Sequence, residues 1–300
     1  MPRRFRLGRP RIKELVARVT FGSAIGYAAA SYSASRWLTR RAPGAPRQNP
    51  GDFGLAFEAL ECRTMDGMRL AGWVAEPDQP LGTIALFHGL RGSRVRMLPR
   101  LAILAGQGFR VVSFDHRAHG RSSGKRTSFG FHERLDVVAI HRLIHSRWPQ
   151  QPVAALGSSM GAAALCYAAE FQLSWRAMVL EGIYRDIGSA FARRIGSDYP
   201  AWFGRLYPGV VRVTERRLGL RLEQLTPLAH VGRLGDVPIL FITGMNDRFA
   251  PPADAEQVAA QCRGPRDLWV VPNAGHSDVF DKGGEVYQNQ VTAFFRKWMT

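Results

Sequence analysis

The apolar positions of the chain change period along its length. Phe57 to Arg63 and Arg69 to Ala75 are strand-like runs on either side of Asp66-Gly67, a turn signal that predicts a hairpin. The next apolar run, Thr83 to Phe87, ends in His88-Gly89, and a helical pattern follows to about Ala105. From there short continuous apolar runs alternate with helical ones. Phe109 to Asp115, Val153 to Ser158, Ala177 to Glu181, Val237 to Thr243 and Asp267 to Val271 predict strands; Phe131 to Trp148, Met160 to Phe171, Ala253 to Cys262 and Glu285 to Met299 predict helices. Strands that are apolar on both faces and alternate with helices imply a mostly parallel sheet covered on both sides. Ligands bind at the carboxyl ends of such strands, so the loops that follow them are the place to look for chemistry.

Two segments stand outside the alternation. Residues 183–235 are too long for an ordinary connection and carry Tyr184, Phe191, Tyr199, Trp202, Phe203 and Tyr207 interleaved with arginines. They read as a cap over the site, whose rings either wall an acyl pocket or pack on the domain while the arginines are solvated. The other segment precedes the hairpin. Between Arg18 and Arg36 run 17 residues without charge, somewhat short of the roughly 20 that a spanning helix needs and diluted by serine and glycine. Gly22, Gly26, Ala30 and Ala34 recur every four residues, a row of small side chains that lets another helix approach closely. The stretch fits a membrane anchor, a signal peptide cleaved near Ala28-Ala29-Ala30, or a soluble helical arm. Residues 42–52 are rich in proline and glycine and read as a linker. The expected division is therefore a basic arm over 1–41, the linker, and one catalytic domain over 53–300.

Charge sharpens the view of the arm. The chain carries a formal +17, which invites nucleic acid as a partner, but eleven Lys and Arg against Glu14 give residues 1–50 alone +10 and leave +7 for the rest. A basic run beside an uncharged stretch favours an anionic membrane surface, so membrane association through the arm is expected, with a secreted or periplasmic protein or a cytoplasmic one as the alternatives, and no nucleic acid. More basic residues before the stretch than after it would place the N-terminus of an anchored chain in the cytoplasm and the catalytic domain outside. Cys62, Cys166 and Cys262 lie far apart without C-x-x-C spacing, which suggests neither a disulfide framework nor a zinc site.

Candidate chemistry sits at the predicted strand ends. Ala155-Leu-Gly157-Ser-Ser159-Met-Gly161 contains G-x-S-x-G between a strand and a helix. The spacing selects Ser159, because glycines two residues away on either side let backbone pass a sharp turn without Cβ clashes, whereas Ser158 has Leu156 and Met160 there. A serine hydroxyl needs a base, and His276 in Val271-Pro-Asn-Ala-Gly-His276-Ser-Asp278 follows the last strand in the chain order Ser, acid, His. The acid that orients the base is expected at Asp247 in Thr243-Gly-Met-Asn-Asp247-Arg-Phe-Ala-Pro. Asp278 is its rival by proximity to His276. The oxyanion that develops during acyl transfer needs two preorganised donors. The backbone N–H groups of Met160, after the nucleophile, and of Leu90, in His88-Gly-Leu90-Arg-Gly-Ser93, are placed to supply them. His88 itself is expected to brace that loop.

Over roughly residues 57–299 these segments resemble the α/β-hydrolases, in particular the group that contains monoacylglycerol lipases and serine-aminopeptidase-like hydrolases. The segment from His88 to Ser93 is similar to the family's H-G-x-x-G-S, and Asp115-His-Arg-Ala-His-Gly120-Arg-Ser122 to its D-x-R-G-x-G-x-S, with Ala118 in place of a glycine. Ala162 likewise stands where many relatives have glycine after the elbow. The resemblance implies an α/β-hydrolase fold: a mostly parallel twisted sheet of about eight strands, helices on both faces and a small helical cap. It implies no cofactor and no metal, the latter also for His116-x-x-His119. The expected activity is hydrolysis of a carboxylic ester, of a lipid or another acyl substrate, through an acyl-enzyme. Thioester or amide hydrolysis and acyl transfer share the tetrahedral intermediate, and a non-catalytic scaffold at a membrane is the alternative from another class.

Overall fold

A computed structural model describes residues 12–42, 44, 47–198 and 201–300. The chain enters through helix α1 (Ile12–Thr39) and a 3-10 turn at Pro50–Phe53, then forms β1 (Glu58–Arg63), β2 (Arg69–Ala75), β3 (Thr83–Phe87), α2 (Leu98–Gly106), β4 (Arg110–Phe114), α3 (Arg134–Arg147), β5 (Val153–Ser158), α4 (Met160–Tyr167) and β6 (Met178–Glu181). The cap follows, built mainly from α5 (Ile187–Asp198) and α6 (Tyr207–Leu218). The chain then returns as β7 (Ile239–Gly244), α7 (Pro252–Ala260), β8 (Arg266–Val271) and α8 (Val279–Met299).

One eight-stranded sheet results, in the order β1-β2-β4-β3-β5-β6-β7-β8. The expected hairpin pairs Leu60 with Gly72, β2 runs antiparallel to β4, and every remaining pair is parallel. Alternate residues of each inner strand serve the two faces. Ala85 and Phe87 join Val137 and Ile140 of α3 and the alanines of α4, while Ile84 and Leu86 join Leu101 of α2 and Val291 and Phe295 of α8. Each fully buried Leu, Ile or Phe contributes roughly 1.5–3 kcal/mol by leaving water, which explains why these strands carry no polar alternation. The crossovers deliver the ends of β3, β5, β7 and β8 to one edge of the sheet, where the loops with the candidate residues lie.

Helix boundaries depart from the apolar pattern where polar groups intervene. α3 starts at Arg134, not Phe131, because the buried Glu133 carboxylate ties the preceding turn. It accepts the hydroxyls of Thr127 (2.8 Å) and Ser128 (2.6 Å) and the N–H groups of Ser128 and Gly130. α8 begins six residues before the expected Glu285 and bends at Gly284, whose φ of 50° is open to glycine at little cost.

The C-terminal part of α1 is docked on the cap, whereas residues 23–29 are exposed. Its buried residues Ser31, Ser35 and Thr39 form one stripe against α6, where a Cβ on Gly209 would come within 2.4 Å of Ser31 Oγ. Ser35 Oγ accepts the Thr214 hydroxyl (2.9 Å), and Tyr27 Oη accepts the N–H of Gly209 (3.0 Å). Of the small-residue row, Ala30 and Ala34 flank this stripe and Gly26 faces open space. Just after the helix, Arg41 donates to the carbonyls of Gly120, Ser122 and Gly124. Among the described residues no helix is long and apolar enough to cross a membrane. The basic run from Arg3 to Arg11, on which the expected attachment to an anionic surface rests, lies outside the described residues.

Candidate active site

β5 delivers Ser159 to the sheet edge in a conformation that few non-glycine residues adopt, φ 52° and ψ −109°. Two features hold it there. The Ser159 N–H donates to the carbonyl of Glu181 on the neighbouring strand (2.7 Å), and the flanking glycines admit the close backbone that the turn requires. A Cβ at Gly157 would lie 2.7 Å from the Ala162 nitrogen, and one at Gly161 would lie 2.2 Å from the Phe87 carbonyl oxygen. The bend aims the hydroxyl at the loop after β8, where Ser159 Oγ stands 2.9 Å from His276 Nε2.

The other ring nitrogen of His276 is fixed by Asp247, in the loop after β7. Asp247 Oδ2 accepts Nδ1–H at 2.7 Å, and Oδ1 accepts the N–H groups of Phe249 (2.9 Å) and Ala250 (2.8 Å). This carboxylate is buried, so its charge is held by three donors and not by water. With the proton on Nδ1, Nε2 is left as the acceptor for the serine hydroxyl. The His276 side chain keeps 21% of its surface open. Asp278 does something else: its Oδ1 accepts the N–H of Gly275 at 2.6 Å and closes the turn beneath His276.

The two expected oxyanion donors flank the same serine. Met160 is the first residue of α4, and the leading N–H groups of a helix have no partner within it. Leu90 follows Gly89, which lies so near the elbow that a Cβ there would sit 3.3 Å from the Ser158 carbonyl oxygen and 3.4 Å from Ser159 Cβ. The Leu90 loop is tied by histidines. His88 Nδ1–H donates to the Gly89 carbonyl (2.8 Å) and Nε2 accepts the N–H of His116, while His119 Nε2 accepts the N–H of Arg91. Burial, reinforced by the neighbouring His116 and His119, holds His88 well below the ordinary imidazole range, so it stays a neutral brace as expected from its place in the sequence. Ala118, in the glycine position of the adjacent loop, takes φ 58°, a left-handed conformation that costs an L-residue roughly 1–2 kcal/mol.

Further residues shape the site from its surroundings. Phe249 places its ring 4.8 Å from that of His276, and Phe191 and Phe129 continue the row at 5.8 and 5.3 Å. Glu181, whose carbonyl braces the elbow, anchors its side chain in a buried pair with Arg100 at 2.8–2.9 Å. Phe249 lies within the Asp247 segment, two residues after the acid, whereas Arg100 stands 81 residues from Glu181 and no sequence pattern links the two. Among the described residues no group of His, Cys, Asp and Glu is arranged to hold a metal ion. Burial pushes the thiols of Cys62 and Cys262 up to about 12 and about 11, which leaves neither as a competing nucleophile.

The sheet order and the crossovers are those of the α/β-hydrolase fold. Residues 78–217 match the hydrolase family described as serine aminopeptidase, S33, a span that includes Ser159 and most of the cap and ends before Asp247 and His276. The chain is 28% identical over 239 residues to the uncharacterized protein YqkD of Bacillus subtilis, covering 76% of this chain and 75% of that one. It is 22% identical over 245 residues to protein bem46 of Schizosaccharomyces pombe, covering 79% and 77%. Among solved structures, the Pyrococcus furiosus esterase Pf2001 superposes with a TM-score of 0.74 at 22% identity, over 87% of this chain and 99% of that one. At that identity the likeness is one of fold.

Proposed function

We propose that the protein is a serine hydrolase that cleaves a carboxylic ester through an acyl-enzyme. The observation that carries this reading is the continuous hydrogen-bond path from Ser159 Oγ through His276 to Asp247. His276 Nε2 takes the hydroxyl proton as Oγ bonds to the ester carbonyl carbon. The oxyanion so formed faces the N–H groups of Leu90 and Met160, and loss of one such donor typically costs about 3–4 kcal/mol in the transition state. Collapse breaks the bond to the alkoxide, which leaves with the proton from His276. A water molecule, deprotonated by the same ring, then releases the acid and restores Ser159.

Amide cleavage is the second reading, raised by the serine-aminopeptidase match. The surroundings of the site favour an acyl ester. The cavity that begins at Leu90 is lined mostly by apolar side chains, and its charged residues are two arginines, Arg91 and Arg194, against one carboxylate, Glu215, a balance that favours an acyl chain over a substrate ammonium. The test is turnover of acyl p-nitrophenyl esters, acyl thioesters and aminoacyl anilides by the full chain and by Ser159→Ala. Ester turnover that disappears in the variant is the expected result. Anilides cleaved faster than every ester would reverse the preference, and equal activity of the two proteins would refute the assignment of Ser159.

A further inference from the structure

An apolar cavity of about 190 Å³ lies between the core, the cap and α1. None of Ser159, Asp247 and His276 lines it, and it approaches the site on two sides. Leu90 lines it one residue from Gly89, which abuts Ser159, and Phe129 and Phe191 line it at the far end of the ring row that reaches His276 through Phe249. Its outer wall comes from Ala34, Trp37 and Leu38 of α1, facing Val210 and Thr214 of α6. The segment matched to the hydrolase family begins at residue 78, so this wall lies outside it.

The wall is fixed to the catalytic loop itself. Arg91, next to Leu90, donates from Nη2 to the Trp37 carbonyl (2.8 Å) and lays its guanidinium 4.0 Å from the Trp37 ring centre. Thr39 accepts the backbone N–H of Thr127, two residues before Phe129. Trp37 remains 45% exposed, so it stands at the mouth of the cavity with one face to solvent. A water-sized group needs about 10–15 Å³ of such space, so the cavity takes on the order of a dozen methylene-sized groups.

We propose that α1 forms one wall of the acyl-binding pocket, so that the N-terminal arm selects substrates carrying a single alkyl chain of medium length. The proposal rests on the ester-hydrolase reading for its chemistry and on the cavity for its specificity. An acyl chain bonded to Ser159 Oγ runs past Leu90 beneath Trp37 and ends between α1 and α6. Each methylene removed from water there favours binding by about fourfold. A larger side chain at residue 34 occupies that space, and a smaller one at residue 37 opens the mouth.

The test compares the full chain with Ala34→Leu and Trp37→Ala, on p-nitrophenyl esters from acetate to dodecanoate and by calorimetric binding of decanoate. In Ala34→Leu, three added methylene-sized groups are expected to lower kcat/KM for the decanoyl ester and affinity for decanoate by about 50-fold, and to lower turnover of the acetyl ester far less. Trp37→Ala is expected to shift the preference toward longer or bulkier chains, and it keeps the proposal testable where Ala34→Leu does not fold. Chain-length profiles unchanged in both variants, or no binding of decanoate to the parent, would overturn the proposal even with acetyl esterase activity intact. Decanoate bound by the parent and weakened by Ala34→Leu, with no ester hydrolysed at all, would support the pocket and refute the hydrolase reading instead.

Discussion

At Ser159 the backbone is held in a conformation that costs on the order of 1–3 kcal/mol, and the surrounding strand, helix and glycines hold it there. That is why the candidate nucleophile is legible: the strain needs glycines at 157 and 161, and their spacing is visible in one dimension. His276 and Asp247 were legible for a related reason, since each follows an apolar strand whose neighbours in the sheet are predictable. The rivalry between Asp247 and Asp278 was not decidable by spacing alone; it turns on which carboxylate meets Nδ1. Asp247 does, at 2.7 Å, while Asp278 serves the Gly275 N–H. Asp247→Asn is therefore expected to lower kcat by about 10⁴-fold with folding intact, because the amide no longer stabilises the imidazolium or fixes the tautomer. Asp278→Asn retains an oxygen for Gly275 and is expected to stay within a few-fold of the parent. Stopped-flow acylation rates of the two variants, alongside their circular dichroism, check this; comparable losses would contradict the assignment of the acid.

Elements were legible in proportion to how far hydrophobic period alone determines them. The inner strands are apolar on both faces because both helical layers cover them, and their positions follow from that. The start of α3 depends on the Glu133 carboxylate and the bend of α8 on Gly284, neither of which alters the apolar pattern. α1 is the clearest case. Its contact stripe is Ser31, Ser35 and Thr39, polar residues that no hydrophobic period marks, and the Ser35 hydroxyl meets Thr214 of α6, more than 170 residues later. The small-residue row pointed to close helix packing, and Ala30 and Ala34 flank the contact, but the partner, Gly209, is not apparent from the arm's own sequence. Serine and alanine on the docked face, with an uncharged stretch between arginines, thus give a segment that resembles a membrane helix in composition and a cap-bound helix in place.

On the scale of the whole molecule, buried and half-buried histidines couple stability to pH. His88, His119, His141 and His230 are all held below the ordinary imidazole range, in each case first by burial, and for His141 the value falls from 6.5 to about 4. The unfolded chain takes up these protons near 6.5, whereas the folded chain resists them until about 4 in the case of His141. Over that window the unfolded state binds more protons, so stability is full above it and falls as the pH is lowered through it. Tm is expected to be level above about pH 7 and to drop steadily toward pH 4, with a shallower drop in His141→Gln, which can still donate to the Ser174 carbonyl. Differential scanning calorimetry across that range decides it, and a level Tm down to about pH 5 would contradict the linkage.

The same whole-molecule geometry places three strand ends at one edge of the sheet and so brings Ser159, His276 and Asp247 into one hydrogen-bonded path. Reaction of the full chain with a fluorophosphonate tests that claim most directly, because phosphonylation needs a serine whose proton is taken by a neighbouring base. Intact and peptide mass spectrometry are expected to show one adduct, on Ser159, lost in Ser159→Ala, strongly slowed in His276→Ala and largely retained in Ser158→Ala. An adduct that persists in Ser159→Ala, or a folded parent protein that takes up none, would contradict the account.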